Sequence, residues 1–114
     1  MSIVRPEIES ESVDSNLAEF AIRVPPELVY LQGHFPGEPV LPGVVQVHWA
    51  IELATEHFGL TTAFKAIEGL KFHRVIEPEA QLRLSIEYDA DAGKIRFSYT
   101  SGDETFSQGR VLFG

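Results

Sequence analysis

The sequence predicts an α+β domain in which an antiparallel sheet wraps around one long central helix. Three observations support this fold class. One helix-like stretch begins at Pro42-Gly43 and continues to His57. A single strand-like run precedes it, and only strand-like runs separated by turn residues follow it. A lone helix among strands that are close in sequence indicates a sheet curled over that helix.

The chain of 114 residues divides into a polar arm and one domain. Residues 1–16 are rich in acidic residues and serine, which predicts a loosely held N-terminal arm, with strand pairing as the alternative. Residues 17–114 are enough for a single domain with one hydrophobic core. Its first strand is predicted over residues 17–24, where Phe, Ile and Val partly alternate, and Pro25-Pro26 ends it.

The central helix is predicted over residues 43–57, about four turns. Apolar side chains cover most of its circumference, which is typical of a helix buried on most sides. Gly59 suits a left-handed C-cap, and His57 lies near the negative end of the helix dipole.

The rest of the chain predicts strands joined by turns. Alternation of polar and apolar residues is clearest at 83–88 and 94–99. The predicted strands cover residues 62–75, 80–89, 94–101 and 104–113.

Composition excludes several classes of function. The net charge of −8, with nine scattered Lys and Arg residues, argues against nucleic-acid binding. The chain has no cysteine, so it forms no disulfide, thiolate nucleophile or cysteine–metal site. No apolar run is long enough to span a membrane, and the N-terminus lacks a secretory-signal layout, so we expect a cytoplasmic protein.

The segment from Gly33 to Gly43 carries the strongest functional signal. It contains three prolines and three glycines in eleven residues, which fix an irregular path around His34. The helix begins where this segment ends, so the unpaired N–H groups of Gly43 and Val44 point back toward the loop. An imidazole beside such donors suits proton chemistry on a carbonyl compound, although a loop histidine also commonly bonds nearby backbone groups.

The motif His34-Phe-Pro-Gly-x-Pro-x-x-Pro-Gly43-Val44 resembles the hotdog-fold β-hydroxyacyl thioester dehydratases, most nearly the aryl-polyene-type branch. Weaker matches lie at residues 71–74, 78–84 and 109–114. The resemblance implies a hotdog fold and homodimers whose active sites are shared between subunits. It also implies a substrate held as a thioester on acyl carrier protein or coenzyme A. No cofactor is implied beyond the phosphopantetheine that the substrate carries.

The resemblance implies roles for the residues of the motif. His34 is the expected base for the C2 proton, and the amides of Gly43 and Val44 are the expected donors to the enolate-like oxygen. Phe35 is expected to contact the substrate. Four apolar residues either line an acyl tunnel or belong to the core or the dimer interface: Phe35, Leu41, Trp49 and Phe72.

Two positions on the helix depart from the family pattern. The family places a carboxylate at position 48 and often glutamine at 52, whereas this chain has His48 and Glu52. Residues four apart share a helix face, so the carboxylate can reach the imidazole and favour its charged form. We hypothesise that His48 donates a proton to the leaving hydroxyl while Glu52 orients it. The alternatives are a buried core histidine or part of a metal site; the other histidines show no ligand pattern, so we expect no metal.

The predicted reaction is reversible dehydration of (3R)-3-hydroxyacyl thioesters to trans-2-enoyl thioesters, in fatty-acid, polyketide or aryl-polyene-type synthesis. Lys71 and Arg74 are candidates for docking the carrier protein or coenzyme A, although an exposed strand face explains them as well. Two alternatives remain open. One is an acyl thioesterase in which Glu52 activates water. The other is a catalytically degenerate hotdog subunit that binds acyl chains or pairs with an active relative.

Overall fold

The computed structural model describes residues 5–26, 40–61 and 63–114, which form one helix and six strands. The elements are β1 (Glu7–Val13), β2 (Leu17–Arg23), α1 (Gly43–Phe58), β3 (Phe64–Phe72), β4 (Gln81–Asp89), β5 (Lys94–Ser101) and β6 (Glu104–Phe113). All paired strands are antiparallel and form one sheet in the order β1-β2-β4-β5-β6-β3. The predicted α+β class, one helix against an antiparallel sheet, is confirmed.

Strands β4, β5 and β6 begin and end within one residue of the predicted ranges, because their alternation is clean. In β4, Leu82, Leu84 and Ile86 are buried while Arg83 and Glu87 are exposed. Strand β3 is shorter than predicted.

Beyond β3, the N–H groups of His73 and Arg74 still donate to the Phe106 carbonyl oxygen, at 2.8 and 3.2 Å. The chain then turns inward to the fully buried Ile76. This turn toward the core accounts for the early end of the strand.

Within the segment predicted as an N-terminal arm, residues 7–13 form β1, which is the strand pairing given as the alternative. This strand pairs with β2 from Glu7↔Arg23 to Val13↔Ala18, with a register shift between Ile8 and Ser10. All seven of its residues are exposed. Pairing with β1 gives hydrogen-bond partners to the backbone N–H and C=O groups along the edge of β2. These bonds form whether or not the side chains of β1 are buried.

The core lies between the sheet and one side of α1. Side chains from the helix and from the inner faces of the strands are buried there, and the largest fully buried ones are Trp49, Tyr99, Phe20, Ile22, Leu53, Ile76, Leu84, Ile86, Ile95, Val24 and Val111. Burying a large apolar side chain contributes roughly 1.5–3 kcal/mol. This packing fixes the position of the helix and therefore of every group that the helix carries.

The helix is buried over much of its circumference, as predicted, but a stripe along it is not. Val44 is 77% exposed, and His48 and Glu56 are also exposed. With Glu52 these residues recur every four positions, so they form a single stripe, here called the outer stripe of α1. The sheet packs against only one side of the helix, and in the described residues nothing equivalent covers the outer stripe.

The predicted C-cap is confirmed, since Gly59 is left-handed with φ 64°.

The two edges of the sheet differ in character. Strand β1 carries three glutamates and exposes two apolar side chains, Ile8 and Val13, whereas β3 exposes four large ones, Phe64, Ile67, Leu70 and Phe72. A register shift interrupts β3 between Glu68 and Lys71, where Gly69 has φ 58° and the Arg110 guanidinium occupies the space of a side chain. In the described part of the chain, no helix is both long and apolar enough to cross a membrane.

Candidate active site

The start of α1 presents backbone donors. Val45 and Gln46 donate their N–H groups to the Pro42 carbonyl oxygen, at 3.1 and 3.2 Å. The amides of Gly43 and Val44 follow Pro42 too closely to bond its carbonyl oxygen, and Pro42 provides no side-chain cap. The positive end of the helix dipole lies at the same place, so this turn favours a developing negative charge.

An apolar cavity of about 440 Å³ lies at the start of α1, beside Gly43. It is lined by Val40, Leu41, Pro42, Gly43, Gln46, Phe72, His73, Arg74 and Val75. The Phe72 ring rests against Gly43, where an alanine methyl group would lie 2.5 Å from its Cζ. Glycine at 43 therefore leaves room for this ring. Of the apolar residues considered for an acyl tunnel, Leu41 and Phe72 line the cavity, whereas Trp49 lies in the core.

Gln46 fixes the helix start from inside the protein. Its side chain is 3% exposed; Nε2 donates to the Leu41 carbonyl at 3.2 Å, and Oε1 accepts from Ser107 Oγ at 2.7 Å. The Tyr99 hydroxyl donates to the Gln46 backbone carbonyl at 2.6 Å. Burial raises the pKa of the Tyr99 hydroxyl above its ordinary range, so this donor keeps its proton.

Sequence reasoning missed Gln46. The signal was a single amide among the apolar residues Val44, Val45 and Val47 at the start of a helix predicted to be buried. A polar side chain in such a stretch requires hydrogen-bond partners once it is buried.

His48 and Glu52 are in contact, as their spacing predicted. His48 Nε2 lies 2.9 Å from Glu52 Oε2. The His48 side chain is 60% exposed, so the alternative of a buried core histidine is wrong. Because Glu52 engages Nε2, Nδ1 is the ring nitrogen left for a substrate.

Arg5 completes this cluster and was not predicted. Its Nε lies 3.1 Å from Glu52 Oε1, and its two terminal nitrogens lie 3.1 and 3.2 Å from the two oxygens of Glu56. The hydrogen bond to Glu56 and the nearby charge of Glu52 raise the pKa of the Arg5 guanidinium. The contact joins residues far apart in the sequence, and no local pattern indicates it.

The remaining predicted residues are placed as follows. His34 and Phe35 lie outside the described residues. Lys71 is exposed on β3 opposite Gln108. Arg74 lines the cavity, and its Nε lies 2.9 Å from Glu104 Oε2, so a carboxylate already balances part of its charge. Among the described side chains, no group of three or more His, Cys, Asp or Glu is arranged to hold a metal ion.

Comparison with known proteins assigns the family. A sequence model of the ApeI-like family, described as ApeI dehydratase, matches residues 9–110. The chain belongs to the ApeI-like dehydratase family. The match agrees with the resemblance of the motif around His34 to the hotdog-fold thioester dehydratases.

Curated relatives of this ApeI-like chain carry the name 3-hydroxyacyl-[acyl-carrier-protein] dehydratase FabZ. The protein from Chloroflexus aggregans is 32% identical over 94 residues, which cover 74% of this chain and 65% of the relative. The protein from Acetivibrio thermocellus is 34% identical over 94 residues, which cover 74% of this chain and 64% of the relative. The chain thus spans slightly less than two thirds of the length of these relatives.

Solved structures confirm the hotdog fold. The dehydratase heterocomplex ApeI:P from Xenorhabdus doucetiae superposes with a TM-score of 0.89 at 30% identity, covering 95% of this chain and 96% of that one. An uncharacterized protein from Erwinia carotovora subsp. atroseptica gives a TM-score of 0.84 at 32% identity, covering 96% and 95%. A thioesterase superfamily protein, at 17% identity and a TM-score of 0.64 over 91% of this chain and 54% of that one, shares the fold alone.

Proposed function

We propose that this chain dehydrates (3R)-3-hydroxyacyl thioesters, reversibly, to trans-2-enoyl thioesters and water. The observation that carries the proposal is the apolar cavity of about 440 Å³ at the start of α1, with Gly43 in its lining. An acyl thioester needs both an apolar space for its chain and donors for its carbonyl oxygen. Membership of a dehydratase family supports the same reaction.

The proposed reaction removes the C2 proton and the C3 hydroxyl group, which together leave as water. A base, for which we propose His34, removes the C2 proton, and the C2 electron pair moves toward the thioester carbonyl, whose oxygen gains negative charge. The amides of Gly43 and Val44 stabilise that oxygen. The electrons then return to form the C2–C3 double bond as the C3–O bond breaks, and the departing hydroxyl takes a proton and leaves as water.

We propose that His48 supplies that second proton through Nδ1. Glu52 binds Nε2 at 2.9 Å, which orients the ring. The exposure of His48 leaves Nδ1 accessible to a group outside its own subunit. Phe35 is proposed as a further substrate contact.

A second copy of the chain is the proposed partner at this site. The outer stripe of α1 includes the exposed Val44, and the β3 edge exposes four large apolar side chains. Exposed apolar groups of this extent favour association. In such a homodimer the outer stripe of one copy meets the cavity of the other, and acyl carrier protein or coenzyme A docks at Lys71 and Arg74.

Hydration of an enoyl thioester and dehydration of a 3-hydroxyacyl thioester test the reaction, with each substrate on both carrier protein and coenzyme A. We expect His48→Ala to lower kcat by at least about a hundredfold, since a positioned acid typically contributes 10²–10⁴-fold. His48→Asp should retain more activity, because it restores an acid at this position. Thr55→Ala, which alters an exposed side chain bonded to the Ile51 carbonyl at 2.8 Å, is the matched control. An unchanged rate in His48→Ala would exclude the acid role.

Two other candidate functions are distinguished by the same incubation. Release of free thiol from saturated acyl thioesters would indicate a thioesterase. The structure disfavours this function, because both Glu52 oxygens are already bound by Arg5 and His48 and are not left to activate water. Tight binding without turnover would indicate a degenerate or partner subunit. The heterocomplex from Xenorhabdus doucetiae gives that alternative specific support. Turnover should then appear only after an active hotdog chain is added.

A further inference from the structure

We infer that Arg5 is a positioning residue for the His48–Glu52 pair, acting on His48 through the Glu52 carboxylate. The inference rests on the proposed function, in which His48 donates a proton. It adds Arg5 to the groups that the helix carries. Arg5 is not proposed to touch the substrate.

The Glu52 carboxylate is fixed because its two oxygens bind different donors. Oε1 lies 3.1 Å from Arg5 Nε, and Oε2 lies 2.9 Å from His48 Nε2. A carboxylate bound at one oxygen only could rotate and move away from the imidazole. With both oxygens bound, the orientation of the His48 ring depends on the guanidinium on the far side of Glu52.

Arg5 is itself held on both sides. Its terminal nitrogens form a paired contact with Glu56, at 3.1 and 3.2 Å, while Nε remains for Glu52. This use of a planar guanidinium is specific to arginine, since a lysine ammonium presents a single point of charge. The following residue, Pro6, is buried, and Glu7 then begins β1.

The arrangement also separates two like charges. Glu52 and Glu56 are four residues apart on one helix face, where two carboxylates repel each other. Arg5 lies between them and binds both. Without Arg5, the Glu52 side chain is expected to move away from Glu56, and its contact with His48 loosens.

Arg23 provides a matched control. It also bridges two carboxylates, Glu7 and Glu79, at 3.1 Å each. Within the described residues it contacts neither Glu52 nor His48. Exposed ion pairs of either kind contribute little to stability, so both Arg5→Gln and Arg23→Gln should fold.

Steady-state kinetics with an enoyl thioester test the inference on the full chain. We expect Arg5→Gln to lower kcat about tenfold with KM unchanged, a part of the 10²–10⁴-fold that a positioned acid supplies. Arg5→Lys should recover only part of the loss, and Arg23→Gln should match the unmodified protein. In a Glu52→Gln background, Arg5→Gln should have no further effect on kcat, whereas a general structural defect would add to the loss.

A second measurement is independent of turnover. The ¹⁵N chemical shifts of the His48 ring, observed by NMR, should change in Arg5→Gln and not in Arg23→Gln. Unchanged ring shifts in Arg5→Gln would overturn the positioning role whether or not the protein is active. An inactive unmodified protein with the expected ring shifts would instead overturn the proposed dehydratase function and leave the Arg5–Glu52–His48 linkage supported.

Discussion

The two sides of helix α1 differ in what they contact and in what a substitution on each should change. The inner side carries Trp49, Ala50 and Leu53, each at most 1% exposed, within the core. The outer stripe carries His48 and Glu52 with their ionic contacts. One helix thus holds the domain together on one side and presents ionisable groups on the other. Substitutions on the inner side should lower stability, and those on the outer stripe should lower activity with little effect on stability.

Trp49→Ala, on the inner side of the helix, should cause the largest loss of stability. Removing a buried aromatic side chain costs about 3–5 kcal/mol, a large share of the stability of a small domain. Urea unfolding followed by circular dichroism measures the loss, and Trp49→Leu should cost less because it leaves a smaller cavity. If Trp49→Ala unfolded at the same urea concentration as His48→Ala, the division between the two sides would be wrong.

A smaller loss of stability is expected from Gln46→Leu. Gln46 is a polar residue on the buried side of the helix. It leaves Ser107 Oγ and the Leu41 carbonyl oxygen without their present partner, at about 1–3 kcal/mol for a buried unsatisfied group. Adding Ser107→Ala should recover part of the loss, because it removes one unsatisfied group. The free energy of unfolding of the single and double variants tests this. An additive loss in the double variant would contradict it.

The smallest expected effect comes from Tyr99→Phe and depends on pH. Loss of the hydrogen bond to the Gln46 carbonyl should cost about 1 kcal/mol near neutral pH. Burial raises the pKa of the Tyr99 hydroxyl, whereas in the unfolded chain it is about 10. The stability associated with this difference is present below about pH 10 and is lost at higher pH, because the unfolded chain then releases the proton more readily.

Urea unfolding at neutral pH and above about pH 10 tests this sign. The unmodified protein should lose more stability than Tyr99→Phe as the pH rises. Tyr88→Phe is the control, since Tyr88 is only half-buried and packs against the Phe58 ring. An equal loss in the unmodified protein and in Tyr99→Phe would show that the buried hydroxyl does not contribute.

What the sequence predicted well was periodic or local. Alternation placed β4, β5 and β6, and a spacing of four residues predicted the contact between His48 and Glu52. Strand β1 was not placed as a strand, because both of its faces are exposed. Its sequence therefore lacks the regular alternation of polar and apolar residues that a half-buried strand shows. The exposure of Val44 was missed because its apolar character alone does not tell which side of the helix the sheet covers.

The parts of the candidate site that could not be predicted depend on the tertiary fold. Arg5 reaches Glu52 only because β1 and the helix are brought together by the sheet. Tyr99 and Ser107 meet Gln46 across two strands that pair with each other. Such contacts have no spacing in the sequence by which they could be recognised.

The apolar edge strand β3 has a consequence for measurements on the isolated protein. A second copy of this chain that covered Phe64, Ile67, Leu70 and Phe72 would bind the folded form and not the unfolded one, so it would shift the unfolding equilibrium by mass action. Melting temperatures taken on dilute and concentrated samples would then differ. Comparisons between variants are therefore meaningful only at one matched protein concentration.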